Sequence, residues 1–253
     1  MRVEQIRVSR NVKFFAGRMQ HKFKLRPYDD PTKPVIMYGV YNTDDYEFFK
    51  NFEQPMIVLW RGTDAQVVNE GKAKIILSKP CRHYAVSRQV QKSLERFGIM
   101  SEVKAITSTD PSIKCQPRGE YVYCYISSNV NVMRSKYKYG WLRYLQRKLP
   151  YKFIFTTIRQ YPEDKLMKIY RKCFVGVRLL GHDGMSNSIL EMGLMGRRTI
   201  SNSGLPHTIP WKELKDVKKS IIKEYNHRRE DNSSISTAYK KLINIDNKWL
   251  ELE

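Results

Sequence analysis

The chain has 253 residues, with 46 Lys+Arg against 25 Asp+Glu for a formal charge of +21, and 41% of its residues are apolar. That apolar share excludes disorder throughout, and no window approaches the ~20 uninterrupted apolar residues that a membrane-spanning helix demands. The cation excess favours a polyanionic partner: nucleic acid, an anionic membrane surface or phosphorylated small molecules.

In chain order, a basic, proline-containing lead gives way after Pro34 to VIMYGVY over 35–41, an apolar run rich in β-formers that reads as a buried strand. The acidic-aromatic segment 44–52 reads as a helix, and 56–60 as a second buried strand ending in the polar turn Arg61-Gly62-Thr63-Asp64. Strands are expected at 74–78, 83–87 and 101–106, with an amphipathic helix over 88–97 stopped by Gly98. Uniformly apolar strands of this kind suit a parallel sheet covered on both faces, so the expected fold class is α/β.

Residues 107–119 gather Pro111, Pro117 and Gly119 among polar residues and read as a linker. The rhythm then restarts, with strands at 121–127, 152–158, 173–179 and 197–202. Helices are expected at 140–148, at 162–170 with Pro162 in the first turn, and at 186–195, closed by Gly196. Residues 212–253 read as helices and a polar tail. The expected division is 1–116, 117–225 and a helical tail 226–253. In open sheets ligands bind beyond the C-terminal strand ends, and two facing sheets place the chemistry in the cleft between them.

The cysteines Cys81, Cys115, Cys124 and Cys173 form no CxxC pair and read as reduced thiols. The five histidines supply no HxH or HExxH, so no metal site is expected. The basic N-terminal stretch lacks an apolar core and a small-residue cleavage site, so no secretory signal is expected and the location reads as cytoplasmic.

The most informative stretch is 173–202, CFVGVRLLGHDGMSNSILEMGLMGRRTISN. It reads as strand, glycine-bracketed loop, helix and strand. Gly181 and Gly184 let the backbone approach a ligand, Ser186 and Asn187 are capping residues, and first-turn amides with the helix dipole suit an anion. Asp183 and Glu191 stand eight residues apart. Ionised carboxylates only accept hydrogen bonds, which suits the vicinal hydroxyls of a ribose or hexose at about 1.5–3 kcal/mol per charge-assisted bond. The plainer alternative makes Asp183 part of an Asp-Gly turn and Glu191 a solvated helix residue.

This segment resembles the donor-binding motif of GT-B glycosyltransferases of the glycosyltransferase 4 type, a Glu-x7-Glu signature across a strand, loop and helix. Asp183-Gly184 stands for the first Glu-Gly, Glu191 for the second Glu, and 192–200 for the remainder. HYAVSRQVQKSLERFGIMSEVKAI resembles the end of that family's N-terminal domain, and the likeness runs in order from 35 to 202. It implies a GT-B fold of two Rossmann-like domains facing across a cleft, with the acceptor side in 1–116 and nucleotide-sugar binding in 117–225. It further implies a UDP-sugar or GDP-sugar as co-substrate, no other cofactor and no obligatory metal. By the resemblance Glu191 holds the nucleotide ribose, and Asp183 lies near the transferred sugar and leaving phosphate. Asp in place of Glu shortens that reach by one methylene.

Stabilising a departing nucleoside diphosphate without a metal takes fixed cations or amides. Arg134, Lys136 and Lys138 follow the first strand of the second domain, where the family places a basic pair, and Arg178 ends the strand before the glycine loop. Ser127 and Ser128 are placed for the phosphates, Gly184, Met185, Ser186 and Asn187 for the donor loop, and His182 for the sugar. Acceptor-side candidates are Tyr41, Asn42, Asp44, Arg61, Thr63, Asp64 and Ser87. An inverting reaction needs a general base, for which Asp64 is the first choice, whereas the motif favours retention, which needs none. The chain lacks an Asp-x-Asp of the GT-A kind, GxSxG, GxxxxGK[ST] and a strict GxGxxG.

The expected activity is hexosyl transfer from a nucleotide sugar to a hydroxyl on a polyanionic or surface-associated acceptor. Hydroxymethylated DNA and a lipid-linked or cell-surface glycan are the two settings, the second with peripheral docking at the inner membrane face. The rival is a non-catalytic nucleic-acid-binding α/β protein, which predicts salt-sensitive DNA or RNA binding without donor turnover.

Overall fold

The computed structural model describes residues 1–126, 129–156, 161–181 and 184–252. The chain divides into two compact units, Met1–Asp110 together with Ile243–Glu253, and Pro111–Leu242. The division thus falls at 110/111 where 116/117 was expected, and the expected tail is shared between the units.

The first unit is built on a six-stranded sheet, all parallel, in the order β2-β1-β3-β4-β5-β6. Its middle strands β3 (Val35–Tyr38) and β4 (Met56–Trp60) are buried on both faces, which is why they read as unbroken apolar runs. Two strands inside the basic lead are unforeseen, β2 (Arg26–Pro27) and, between it and β3, β1 (Gln5–Val8). Gln5 disguises it. Its buried amide donates to the carbonyls of Asp30 (2.7 Å) and Lys33 (3.0 Å), so a polar residue occupies a core position by holding the next turn.

Helices α1 (Ala16–Phe23), α2 (Thr43–Asn51), α3 (Thr63–Gln66), α4 (Glu70–Leu77) and α5 (Arg88–Glu95) connect the strands, with β5 (Cys81–Ala85) between α4 and α5 and the short β6 (Glu102–Val103) after α5. The strand expected at 74–78 is the second half of α4. Asn69 starts that helix by accepting from the Lys72 amide at 3.0 Å, and an apolar run of three residues does not by itself distinguish helix from strand. The expected polar tail is not polar in its packing. Trp249 and Leu250 are fully buried in the core of the first unit, the Trp249 ring against Phe23 and Tyr84 at 5.1 and 6.1 Å, and the Val3 amide donates to the Leu250 carbonyl.

The second unit carries a four-stranded parallel sheet, β10-β9-β7-β8. In sequence it runs β7 (Tyr121–Tyr125), α6 (Val130–Ser135), α7 (Tyr139–Lys148), β8 (Lys152–Thr156), α8 (Glu163–Arg171), β9 (Cys173–Val177), α9 (Asn187–Leu194), β10 (Arg198–Ile200), α10 (Leu214–Asn226) and α11 (Ser233–Ile243). Arg197, fully buried, ties the segment entering this unit to its helix ends. It donates to the carbonyls of Gln116 (3.0 Å), Pro117 (2.6 Å), Arg171 (3.2 Å), Cys173 (3.2 Å) and Met195, and burial lowers its pKa to about 10.

Each sheet has a switch point. The chain leaves β1 to one side for β2 and returns past it to β3. It leaves β7 to one side for β8 and returns to the other at β9. Ligand sites in open parallel sheets lie beyond the C-terminal strand ends at such points, between β1 and β3 and between β7 and β9.

Candidate functional site

At the second unit's switch point, Tyr125 closes β7 and Arg178 follows the last residue of β9. The Arg178 guanidinium stands 4.3 Å from the Tyr125 ring centroid and 5.7 Å from that of Tyr137. Two aromatic faces hold the guanidinium at the strand ends, and its planar fork of N–H donors is of the kind that suits phosphate. Tyr137 comes from the segment between α6 and α7. The basic residues around it, Arg134 in the last turn of α6, Lys136 at its C-cap and Lys138 before α7, are exposed. Lys138 has φ of 51°, the left-handed region that L-residues seldom adopt.

The helix after β9 starts where expected. α9 begins at Asn187 with Ser186 in the N-cap position, but the Ser186 side chain makes no capping bond; its Oγ lies 2.9 Å from Ser188 Oγ, and its amide donates to the Gly184 carbonyl at 3.0 Å. Met185 and Asn187 are buried, Gly184 and Ser186 half-buried. His182, Asp183, Ser127 and Ser128 lie outside the described residues.

Glu191 is 2% exposed, which overturns the alternative of a solvated helix residue. The Tyr170 hydroxyl lies within reach of its charge, and Thr156 Oγ1 donates to the Tyr123 hydroxyl at 2.8 Å. Thr156, Tyr123 and Tyr170 are all buried, and the two rings meet edge-on at 4.8 Å. Burial, then the charge of its neighbours, pushes the Tyr170 hydroxyl well above its ordinary range.

In the first unit, Tyr41, Arg61, Thr63 and Asp64 come together beyond β3 and β4. Arg61 lies 5.0 Å over the Tyr38 ring while donating to the Ile106 carbonyl at 2.7 Å. Asn42 caps α2 through a capping box with Asp45, accepting from its amide at 3.2 Å, and Ser87 caps α5 by accepting from the Val90 amide at 3.4 Å. Asp44 is exposed and paired with Arg10 at 3.5 Å.

The general base expected at Asp64 is corrected by its surroundings. The residue is fully buried, and its carboxylate accepts from the backbone amides of Arg61 (2.9 Å to each oxygen), Gly62 (2.6 Å) and Ala65 (3.0 Å). Burial, opposed by these amides, raises its pKa. A carboxylate committed in this way holds a turn and is not presented to a substrate hydroxyl.

The sequence carries a signal for Tyr123 and Tyr125. Tyr121, Tyr123 and Tyr125 alternate along β7 and so share one face of the sheet. Tyr170 carried none, because a tyrosine on the inner side of an amphipathic helix looks like ordinary core. Among the described residues no group of three or more His, Cys, Asp or Glu is placed to hold a metal ion, and no helix is long and apolar enough to cross a membrane.

No family model matches the chain, and no curated protein matches it. Solved structures do share its fold. Sucrose-phosphate synthase from Thermosynechococcus elongatus superposes with a TM-score of 0.62 at 11% identity, over 92% of this chain and 73% of that one. The N-terminal domain of Candida albicans trehalose-6-phosphate phosphatase gives 0.57 at 9%, over 94% and 72%. A point mutant of S. aureus TarM, in complex with Fondaparinux, alpha-GlcNAc-glycerol and UDP, gives 0.51 at 13%, over 91% and 59%. At these identities the likeness is one of fold. The chain has a GT-B-like α/β fold with two Rossmann-like, parallel-sheet units.

Proposed function

We propose that the protein is a glycosyltransferase that takes a sugar from a nucleoside diphosphate and passes it to an acceptor hydroxyl. The observation that carries this reading is the pairing, on one switch point, of a cation at the strand end with an acidic residue in the following helix: Arg178 held between Tyr125 and Tyr137, and Glu191 buried within α9. The fold supports it, since TarM, a structure of the same fold, is described in complex with UDP.

In this reading the nucleotide ribose donates to the Glu191 carboxylate, and the diphosphate lies against Arg178 and the first-turn amides of α9. Charge that develops on the leaving phosphate is thereby met by groups already in place. The acceptor oxygen forms a bond to the anomeric carbon as the bond to the diphosphate oxygen breaks, and the acceptor proton passes to the departing phosphate. With Asp64 committed to its turn, this retaining route asks for no protein base. The acceptor belongs with the first unit, where Tyr41, Arg61 and Thr63 cluster. The charge of +21 suits an acceptor that is itself polyanionic or sits on an anionic surface, with hydroxymethylated DNA and a membrane-bound glycan as the two settings.

The test is a thermal-shift screen of nucleoside diphosphates and their sugar conjugates, in which a ligand at 100 times its dissociation constant adds about 2.7 kcal/mol to native stability. One nucleotide is expected to raise the midpoint, and Glu191→Ala to abolish the shift while salt-sensitive polyanion binding persists. Stabilisation by DNA or RNA with none by any nucleotide would instead identify a nucleic-acid-binding protein. Full activity in Glu191→Ala would refute the placement of the donor.

A further inference from the structure

Positive charge in this chain is segregated. The 42 residues 121–162 contain no Asp or Glu, where the chain average of 25 in 253 would place about four. They hold 8 Lys+Arg and 11 aromatic residues, so cations and rings interleave with no carboxylate between them. Glu120, just before the stretch, is taken up by Arg228 at 3.0 Å. Within it, α7 turns Leu142 and Leu145 into the core, with Leu149 just past its end, and leaves Gly140, Arg143, Tyr144, Arg147 and Lys148 exposed. The spacing of 140, 143, 144 and 147 puts them on one stripe of the helix. Arg143 donates to Gln146 in the same helix at 2.6 Å, and among the described residues no carboxylate pairs with Arg143, Arg147 or Lys148. Tyr144 is 41% exposed, and among the described residues only Phe14 is another aromatic ring left so open. The lysine-rich α10 of the same unit shows the ordinary arrangement. Its Lys215, Lys218 and Lys219 are exposed, but Asp216 lies in the first turn and Glu213 pairs with Lys215 at 3.0 Å.

We propose that the outer face of α7 is a docking surface for a nucleic-acid strand, with Arg143, Arg147 and Lys148 meeting its phosphates and Tyr144 stacking on a base. Cations unmatched by carboxylates attract a polyanion and hold it by releasing its counterions, and an exposed ring among them supplies the stacking that single strands offer. A bilayer is the poorer match. A helix that lies in a membrane interface buries an apolar face there, and the apolar face of α7 is already spent on the core. The surface shares no residue with the donor site at Arg178 and Glu191, so it stands apart from that reading.

The experiment titrates the full chain into a labelled oligothymidylate of about 20 nucleotides and reads fluorescence anisotropy over a range of salt. Arg143→Gln, Arg147→Gln and Lys148→Gln together should weaken binding by about 100-fold at about 0.1 M salt. The slope of log K against log salt should fall in magnitude by about 2, the loss of three single-strand phosphate contacts. Tyr144→Ala should weaken binding by about 5-fold or more with the slope unchanged. Lys215→Gln, Lys218→Gln and Lys219→Gln together remove the same charge from α10 and should leave the affinity within about 3-fold of native. All these positions are exposed, so each variant is expected to fold, which an unchanged melting temperature verifies. Thermal shifts by nucleoside diphosphates, measured alongside, judge the donor site separately. Equal losses in the two triple variants would show attraction by net charge alone and overturn the proposal. So would a native chain that binds vesicles of phosphatidylserine and phosphatidylcholine but no oligonucleotide.

Discussion

Replacing Asp64 separates the two roles that the residue has been given. In the first unit its carboxylate is the acceptor for three backbone N–H groups, those of Arg61, Gly62 and Ala65, at 2.6 to 3.0 Å and with no exposure to solvent. Asp64→Ala leaves these three donors without it. An unsatisfied buried donor costs about 1–3 kcal/mol, and loss of the buried charge with partial relaxation offsets part of the sum, so about 3 kcal/mol is expected. Asp64→Asn keeps one accepting oxygen and should cost about half as much. For a domain whose stability is about 5–15 kcal/mol, either change is large. With a urea dependence of about 1–3 kcal/mol per molar, Asp64→Ala should move the midpoint down by about 1–3 M. Trp60 is fully buried and ends the strand that leads into this turn, so its fluorescence suits the unfolding measurement. Transfer per folded molecule should stay within a few-fold of native for Asp64→Asn. The reasoning is refuted if the midpoint holds while turnover falls by 100-fold or more, the loss expected when a general base is removed.

Acid should weaken the first unit through His83. Burial lowers its pKa from 6.5 to about 4, and its Nδ1 accepts from Trp60 Nε1 at 3.3 Å, which requires the neutral ring. The unfolded chain takes up this proton at the higher value, so the contribution is fully present above pH 6.5 and is lost as pH falls from 6.5 toward 4. The difference, 6.5 − 4 = 2.5 in pKa, corresponds to about 3 kcal/mol. His83→Leu should therefore lose about that much less stability than the native protein between pH 7 and pH 4, and equal losses would count against the assignment. In the second unit, a Cβ at Gly193 would run into the Tyr239 ring, meeting Cδ2, Cε2 and, at 2.5 Å, Cγ. Gly193→Ala should accordingly destabilise by about 1–3 kcal/mol in spite of the better helix propensity of Ala, and Tyr239→Leu in the same chain should recover part of the loss. An unchanged melting temperature in Gly193→Ala would show that the ring yields freely.

Much of the architecture was legible because burial on both faces leaves little room for ambiguity. β3, β4, β7 and β9 are apolar runs flanked by turn residues, and the glycine loop leading into α9 could be placed within a residue or two. What escaped notice were elements whose side chains serve their neighbours. Gln5 puts an amide at the head of a strand because the turn at 30–33 needs donors, and the KIILS run became helical because of an asparagine five residues before it. Trp249 and Leu250 sit among charged and polar residues in sequence and lie in the core only because distant residues, Val3 and Phe23 among them, receive them. At the candidate site, the acidic and basic residues were visible by type and spacing. Their supports were not, since nothing local marks Tyr137 as the ring over Arg178. The misreading of Asp64 has the same origin, because an Asp two residues beyond a strand-end glycine serves equally as a base or as a turn holder, and only the amides around it decide.

The return of residues 243–252 to the first unit sets an order on biosynthesis. A ribosome that has finished β1 through β6 has made nearly all of that unit, yet the indole that fills the space beside Phe23 and Tyr84 is still some 140 codons away. Until then the nascent lobe carries an open apolar seam. A fragment cut at residue 110 should accordingly bind hydrophobic dyes and clump, and appending a peptide that spans 243–252 should restore it.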